Sequence, residues 1–132
     1  MRSFAIWAAV SAALLAGGLL ASRSMLSDHP ALVLVAIDAS HSMSGDWNAA
    51  ANIVDRLAAR PFTKHSIVSE KGPVEGDGRS IRNIRPYAPR DLERLAAIVG
   101  KRTGETEEKI LITNAATDEI PEALRDWTIL RP

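Results

Sequence analysis

Residues 31–45 read "ALVLVAIDASHSMSG", an apolar run followed at once by an aspartate and three alternate serines. The apolar part, "ALVLVAI", is continuous and rich in β-branched residues instead of alternating. That pattern predicts a strand buried on both faces, as at the centre of a parallel sheet. The polar part then lies at the strand's carboxyl end, where open α/β sheets bind their ligands. Asp38, Ser40 and Ser42 are spaced i, i+2, i+4, so an extended turn would aim the three side chains the same way.

Beyond this cluster, Trp47, Ala50, Ala51, Val54, Leu57 and Ala58 recur with the spacing of one apolar helix face, and Pro61 ends the pattern. "KHSIVSE" (64–70) is expected as a second strand, and "KGPVEGDG" (71–78), with Asp77, as a turn. In "RSIRNIRP", Arg79, Arg82 and Arg85 alternate roughly with Ile81 and Ile84, which predicts a third strand over 79–85, antiparallel to the second. Leu92, Leu95, Ala96 and Val99 define a second helix, with Gly100 where a left-handed terminal residue is favoured. "KILITNA" (109–115) reads as a strand and "PEALRDW" (121–127) as a short helix with Asp118 or Glu119 near its positive end. "TILRP" (128–132) reads as a last strand. Trp47 and Trp127 belong to the core, and the acids of "GETEEK" (104–109) to a solvated loop.

Strands and helices in this order specify an α/β fold, a three-layer doubly wound sheet that is mostly parallel. The expected strand order is 3-2-1-4-5, with strand three antiparallel and the quoted strand in the middle.

At the end of that strand, "DASHSMSG" resembles the von Willebrand factor A domain, whose first strand closes in an Asp-x-Ser-x-Ser motif that helps to bind a divalent cation. The resemblance covers Ala31 to about Ala115. It implies a metal-ion-dependent adhesion site with Asp38, Ser40 and Ser42 as ligands and Asn114 across the mouth from the fourth strand. Two departures weaken that site. The approach to the second helix, "PYAPRDL", has no threonine, and the later strand ends in Thr113-Asn114-Ala115 where the family places an aspartate. His41 also stands where glycine is common. With hydroxyl, amide and carboxylate oxygens as the ligands on offer, the ion expected is Mg²⁺ or a similar hard cation, held weakly or not at all.

Two other readings remain open for the same residues. Asp and Ser oxygens accept from free N–H groups at helix starts, and in one of these readings the cluster only caps the next helix. Alternatively, "HSMSG" invites comparison with a serine nucleophile elbow, in a membrane-tethered hydrolase using Ser40 or Ser42. The elbow's first glycine is missing, and the candidate bases His29, His41 and His65 are poorly placed in the sequence.

Ahead of the body, Phe4–Ala21 contains no charged residue. As a helix its 18 residues would span ~27 Å, near the ~30 Å hydrocarbon core of a bilayer. Leu19 stands where a signal peptidase would want a small residue before a cut after Ala21, so residues 1–22 are expected as a retained single-pass anchor and 23–30 as a short polar connector. A very short N-terminus before one export-competent helix places the body, residues 31–132, in the periplasm or exterior.

Arg2 is the one charged residue up to Ser22, so the remainder carries fifteen Lys+Arg against sixteen Asp+Glu, a formal net of −1. This balance offers no electrostatic reason to bind nucleic acid. There is no cysteine, which excludes disulfides and thiolate metal sites. The functional expectation is a von Willebrand A-like binding or assembly module, an accessory or structural subunit of a membrane or periplasmic complex, not an enzyme.

Overall fold

The computed structural model describes residues 2–76, 78–102, 104 and 106–132. Asp77 and Glu105, read above within a turn and a solvated loop, lie outside them. The chain divides into two units, 1–30 and 31–132.

The first unit is a helix, α1 (Arg2–Asp28), so the connector expected at 23–30 is helical as far as Asp28. Alanine and leucine, both strong helix formers, dominate it. Within it, Ile6–Met25 is long and apolar enough to cross a membrane. The Ser22 hydroxyl donates to the Gly18 carbonyl at 2.8 Å, and Ser27 does the same to Ser24. These hydroxyls are therefore satisfied inside the helix, without water.

The second unit is α/β, built on a five-stranded mixed sheet. Its central strand β1 (Ala31–Ile37) runs parallel to β2 (Thr63–Ser69) on one side and to β4 (Glu108–Ile112) on the other. The order is, as expected, β3-β2-β1-β4-β5, where β3 (Gly72–Val74) forms one edge and β5 (Thr128–Leu130), parallel to β4, the other. The continuous apolar run of β1 is explained by its neighbours. Val33, Val35 and Ile37 belong to one buried cluster with α2 (Trp47–Ala58), and Leu34 and Ala36 to a second with α4 (Leu92–Gly100) and α5 (Glu122–Arg125). Both parities of the strand lose water, each large aliphatic side chain gaining about 1.5–3 kcal/mol on burial. Trp47 joins the first cluster and Trp127 the second.

The third strand is not where the alternation of Arg and Ile placed it. Residues 79–82 lie in a short helix, α3 (Gly78–Arg82), and the antiparallel edge strand is β3 (Gly72–Val74). Ile81 and Ile84 are three residues apart, a spacing that sets both on one side of a helical turn. Ile81 is fully buried in the α2 cluster, and the Trp47 indole N–H donates to its carbonyl at 2.9 Å. Pro73 has no N–H for a ladder, which suits the sheet edge. Gly72, at φ 124°, makes the tight reversal out of β2 that a side chain would oppose.

Helix α4 starts at Asp91, whose carboxylate accepts from the Arg94 N–H at 2.9 Å. It does not end on a left-handed Gly100. Gly100 is still helical, and the following Lys101 has φ −78°.

Candidate functional site

The register sets Ile37 level with Ser69 on one side and with Ile112 on the other. Asp38, Glu70 and Thr113 therefore leave the sheet side by side at its carboxyl end. The backbone N–H of Asp38 still donates to the Ile112 carbonyl at 3.0 Å, which holds the first residue of the loop in line with its strand.

The Asp38 carboxylate is 1 % exposed and both its oxygens are engaged. Oδ1 accepts the N–H of Ser40 at 3.0 Å, a local turn in which the aspartate side chain replaces a backbone acceptor. Oδ2 accepts from the Thr113 hydroxyl at 2.8 Å and from Arg90 Nε at 2.9 Å. Arg90 continues outward: Nη1 donates to Glu119 Oε2 at 2.9 Å and Nη2 to Asn114 Oδ1. The Asn114 amide then donates to the Ser42 carbonyl at 2.9 Å and to Asp46 at 2.7 Å.

The trio named from sequence does not point one way. After Ser40 the chain wraps into a 3₁₀ turn, His41–Met43, instead of staying extended. The cause is Met43, which is fully buried beneath the loop with its sulfur 3.3 Å from the Asn114 nitrogen. Asp38 and Ser40 are consequently buried, whereas the Ser42 side chain is exposed and only its carbonyl meets Asn114. None of the three caps α2, whose N-cap is Asp46, and the Asp46 carboxylate accepts from Asn114 and makes no capping hydrogen bond to the helix. Glu119, expected at the start of α5, instead spans Arg90 and the Ala116 N–H.

Two residues that sequence reasoning passed over complete the site. Arg90 is one. The other is Glu70, buried beside the β1 loop, with Oε2 accepting the Ala39 N–H at 3.0 Å and Oε1 without a partner. Its signal was present in the order of strands, because an acid one place after β2 is level with one placed likewise after β1. Lys71 follows, donating to the Ala39 carbonyl at 3.0 Å with its ammonium 3.3 Å from the Tyr87 ring centroid. Partial burial lowers the Lys71 pKa, against the raising influence of Glu70 and Asp38.

The segment Pro86–Pro89 lies over this floor. The Tyr87 N–H donates to the Ala39 carbonyl at 3.1 Å and the His41 N–H to the Ala88 carbonyl at 2.9 Å. Ala88 adopts φ 71°, a left-handed conformation that disfavours a β-carbon.

Of Asp38, Ser40 and Asn114, only Ser40 presents a side-chain oxygen without a hydrogen-bond partner. Of the four residues named as cation ligands, Asp38 and Asn114 thus have side-chain oxygens already engaged by the Arg90 guanidinium. Among the described residues no cluster of three or more His, Cys, Asp and Glu has a metal-binding arrangement. Nor does a described hydrogen bond join Ser40 or Ser42 to a histidine ring. His41 Nδ1 lies 3.5 Å from the hydroxyl of Ser44, which donates to the His41 carbonyl at 2.7 Å. No family model, curated protein or solved structure matches the chain.

Proposed function

We propose that the protein is a membrane-anchored binding module. In this reading α1 tethers a three-layer, doubly wound domain of von Willebrand A type on the periplasmic or outer side of a membrane. The loops at the carboxyl end of its sheet receive a protein partner within a membrane or periplasmic complex. The observation that carries the reading is an exposed aromatic side chain on those loops, with its backbone hydrogen-bonded to the strand end. Tyr87 is 59 % exposed, yet its backbone is bonded to Ala39 and its ring is covered by Lys71. Tyrosine held in this way buries a large contact area at little entropic cost, which is why interface hot spots favour it. Beside it, His41, Ser44, Arg82, Arg85 and Pro86 line a groove that a partner segment can enter. The long apolar stretch of α1, with Trp7, Leu14, Leu19 and Leu20 exposed, supports the anchor.

The test is affinity purification of the full-length protein from membranes in mild detergent. A co-purifying protein should be lost with Tyr87→Ser and retained with Lys64→Ser at the opposite end of the sheet. If both variants retain it and only removal of residues 1–22 releases it, the helix and not the loop face binds the partner. Labelling of Ser40 or Ser42 by a serine-directed fluorophosphonate would replace this reading with the tethered hydrolase.

A further inference from the structure

A buried carboxylate must be neutralised by protonation or by a counter-charge, since leaving it ionised and unpaired in the interior is strongly unfavourable. Asp38 meets this condition through Arg90, and the geometry of Arg90 goes further than a pair. Its Nε, Nη1 and Nη2 engage Asp38 from the end of β1, Glu119 from the turn before α5, and Asn114 from the end of β4. Two carboxylates and an amide oxygen converging on one positive centre are the kind of oxygen set that a hard divalent cation takes. One hydroxyl completes the comparison: Ser40 Oγ, two residues on from Asp38, is buried and has no partner.

We propose that Arg90 is the built-in cation of this site. Its guanidinium stands where a divalent ion would otherwise bind, so the native loop end is assembled without metal. An ion cannot join it there. A second cation within ~4–6 Å would meet like-charge repulsion, and the Asp38 oxygens are already taken. The strap that delivers Arg90 is itself fixed to the site, through Tyr87 to Ala39 and Ala88 to His41, at the expense of the left-handed Ala88. Removing the guanidinium leaves Asp38, Ser40, Asn114 and Glu119 as a cation site. Arg90 compensates Asp38 in this way whether or not the loop face binds a partner.

Thermal unfolding of the full-length protein in mild detergent tests it, with MgCl₂ at about 10 mM against EDTA. Wild type should melt at the same temperature in both, within about 1 °C. Arg90→Ala should melt at least ~5 °C lower than wild type in EDTA and regain about 5 °C with MgCl₂, if the uncovered site binds with a Kd of about 1 mM. The regain should vanish in Arg90→Ala with Asp38→Ala. Should Arg90→Ala not fold, Arg90→Gln, which keeps the chain length and drops the charge, serves in its place. A Mg²⁺-dependent rise in wild type that Asp38→Ala removes would overturn the proposal. So would indifference of the folded Arg90 variant to MgCl₂.

Discussion

Asp38 and Arg90, fifty-two residues apart in the chain, form an ion pair at 2.9 Å in which the two side chains are 1 % and 18 % exposed. The pair fastens the end of the central strand to the segment that leads into α4. Because Asp38 is buried, its substitution does not merely remove an attraction. Asp38→Asn leaves Arg90 facing a neutral amide with its remaining acid at the surface, and should lower the unfolding free energy by about 3 kcal/mol. Glu119 pairs with the same guanidinium at the same distance but is 51 % exposed. Glu119→Gln should therefore cost less than about 1 kcal/mol. Denaturant titration of both variants checks the contrast; equal losses would mean that burial does not set the strength of the pair.

The replacement of the expected third strand by α3 has its own test. A β-carbon added at Gly78 would collide with the Asp55 carboxylate and come within 2.5 Å of the Ala51 carbonyl, both on α2. A backbone oxygen cannot swing aside. Gly78→Ala should consequently destabilise by about 1–3 kcal/mol as α3 is pushed off α2. Gly45, with nothing within 4 Å of the same added atom, should tolerate alanine without measurable loss. If Gly78→Ala melts like wild type, the close approach of α3 to α2 is wrong.

Why some of this was legible follows from the range of the interactions involved. The uninterrupted "ALVLVAI" announces double-sided burial because every position loses water, and the sheet order followed from it. Local patterns deceived where two periods overlap. Arg79, Arg82 and Arg85 repeat every third residue, as do Ile81 and Ile84, which is nearer the helical period than that of a strand. "KGPVEGDG" reads as a turn from its glycines and Asp77, although an edge strand of three residues accepts the glycine and proline of "GPV". At the site, the position of Asp38 was legible from the strand that ends there. The role of Arg90 was not, since it depends on the path of a loop with a left-handed alanine and on a pairing across half the body. A partial signal existed in the strand itself: an aspartate that ends a doubly buried strand is buried with it and needs a source of positive charge.

His65 links stability to pH. Partial burial, and after it the Arg60 guanidinium, hold the imidazole pKa below 6.5, against the opposite influence of Glu108. With the folded pKa below the unfolded one, the unfolded chain binds the proton first as pH falls. Stability is then greatest above the unfolded pKa, declines as pH drops through 6.5, and levels off below the folded value. His65→Gln should remove this contribution, so the difference in melting temperature between wild type and variant should shift in the variant's favour from about pH 7.5 to about pH 5.5. Parallel melting curves across that interval would show that His65 does not prefer its neutral form in the fold.

The strained strap yields the last expectation. Ala88 holds φ 71° while its carbonyl accepts the His41 N–H at 2.9 Å, so the left-handed conformation is tied to the loop that carries the Asp-x-Ser-x-Ser motif. For a residue with a β-carbon that conformation costs about 1–2 kcal/mol, whereas glycine adopts it freely but loses about 0.5–1 kcal/mol through its more mobile unfolded chain. The two effects nearly offset each other. Ala88→Gly should accordingly leave stability unchanged or raise it by less than about 1 kcal/mol. Ala88→Val places a branched side chain in the same conformation and should cost more than about 1 kcal/mol, with the strap loosened from His41. Amide hydrogen exchange distinguishes this from a general effect on the fold: protection of the His41 and Tyr87 N–H groups should fall in Ala88→Val more than that of the β1 amides. Uniform loss across β1 and the strap would mean that the strap and the sheet open together, and that Ala88 is not where the strain is held.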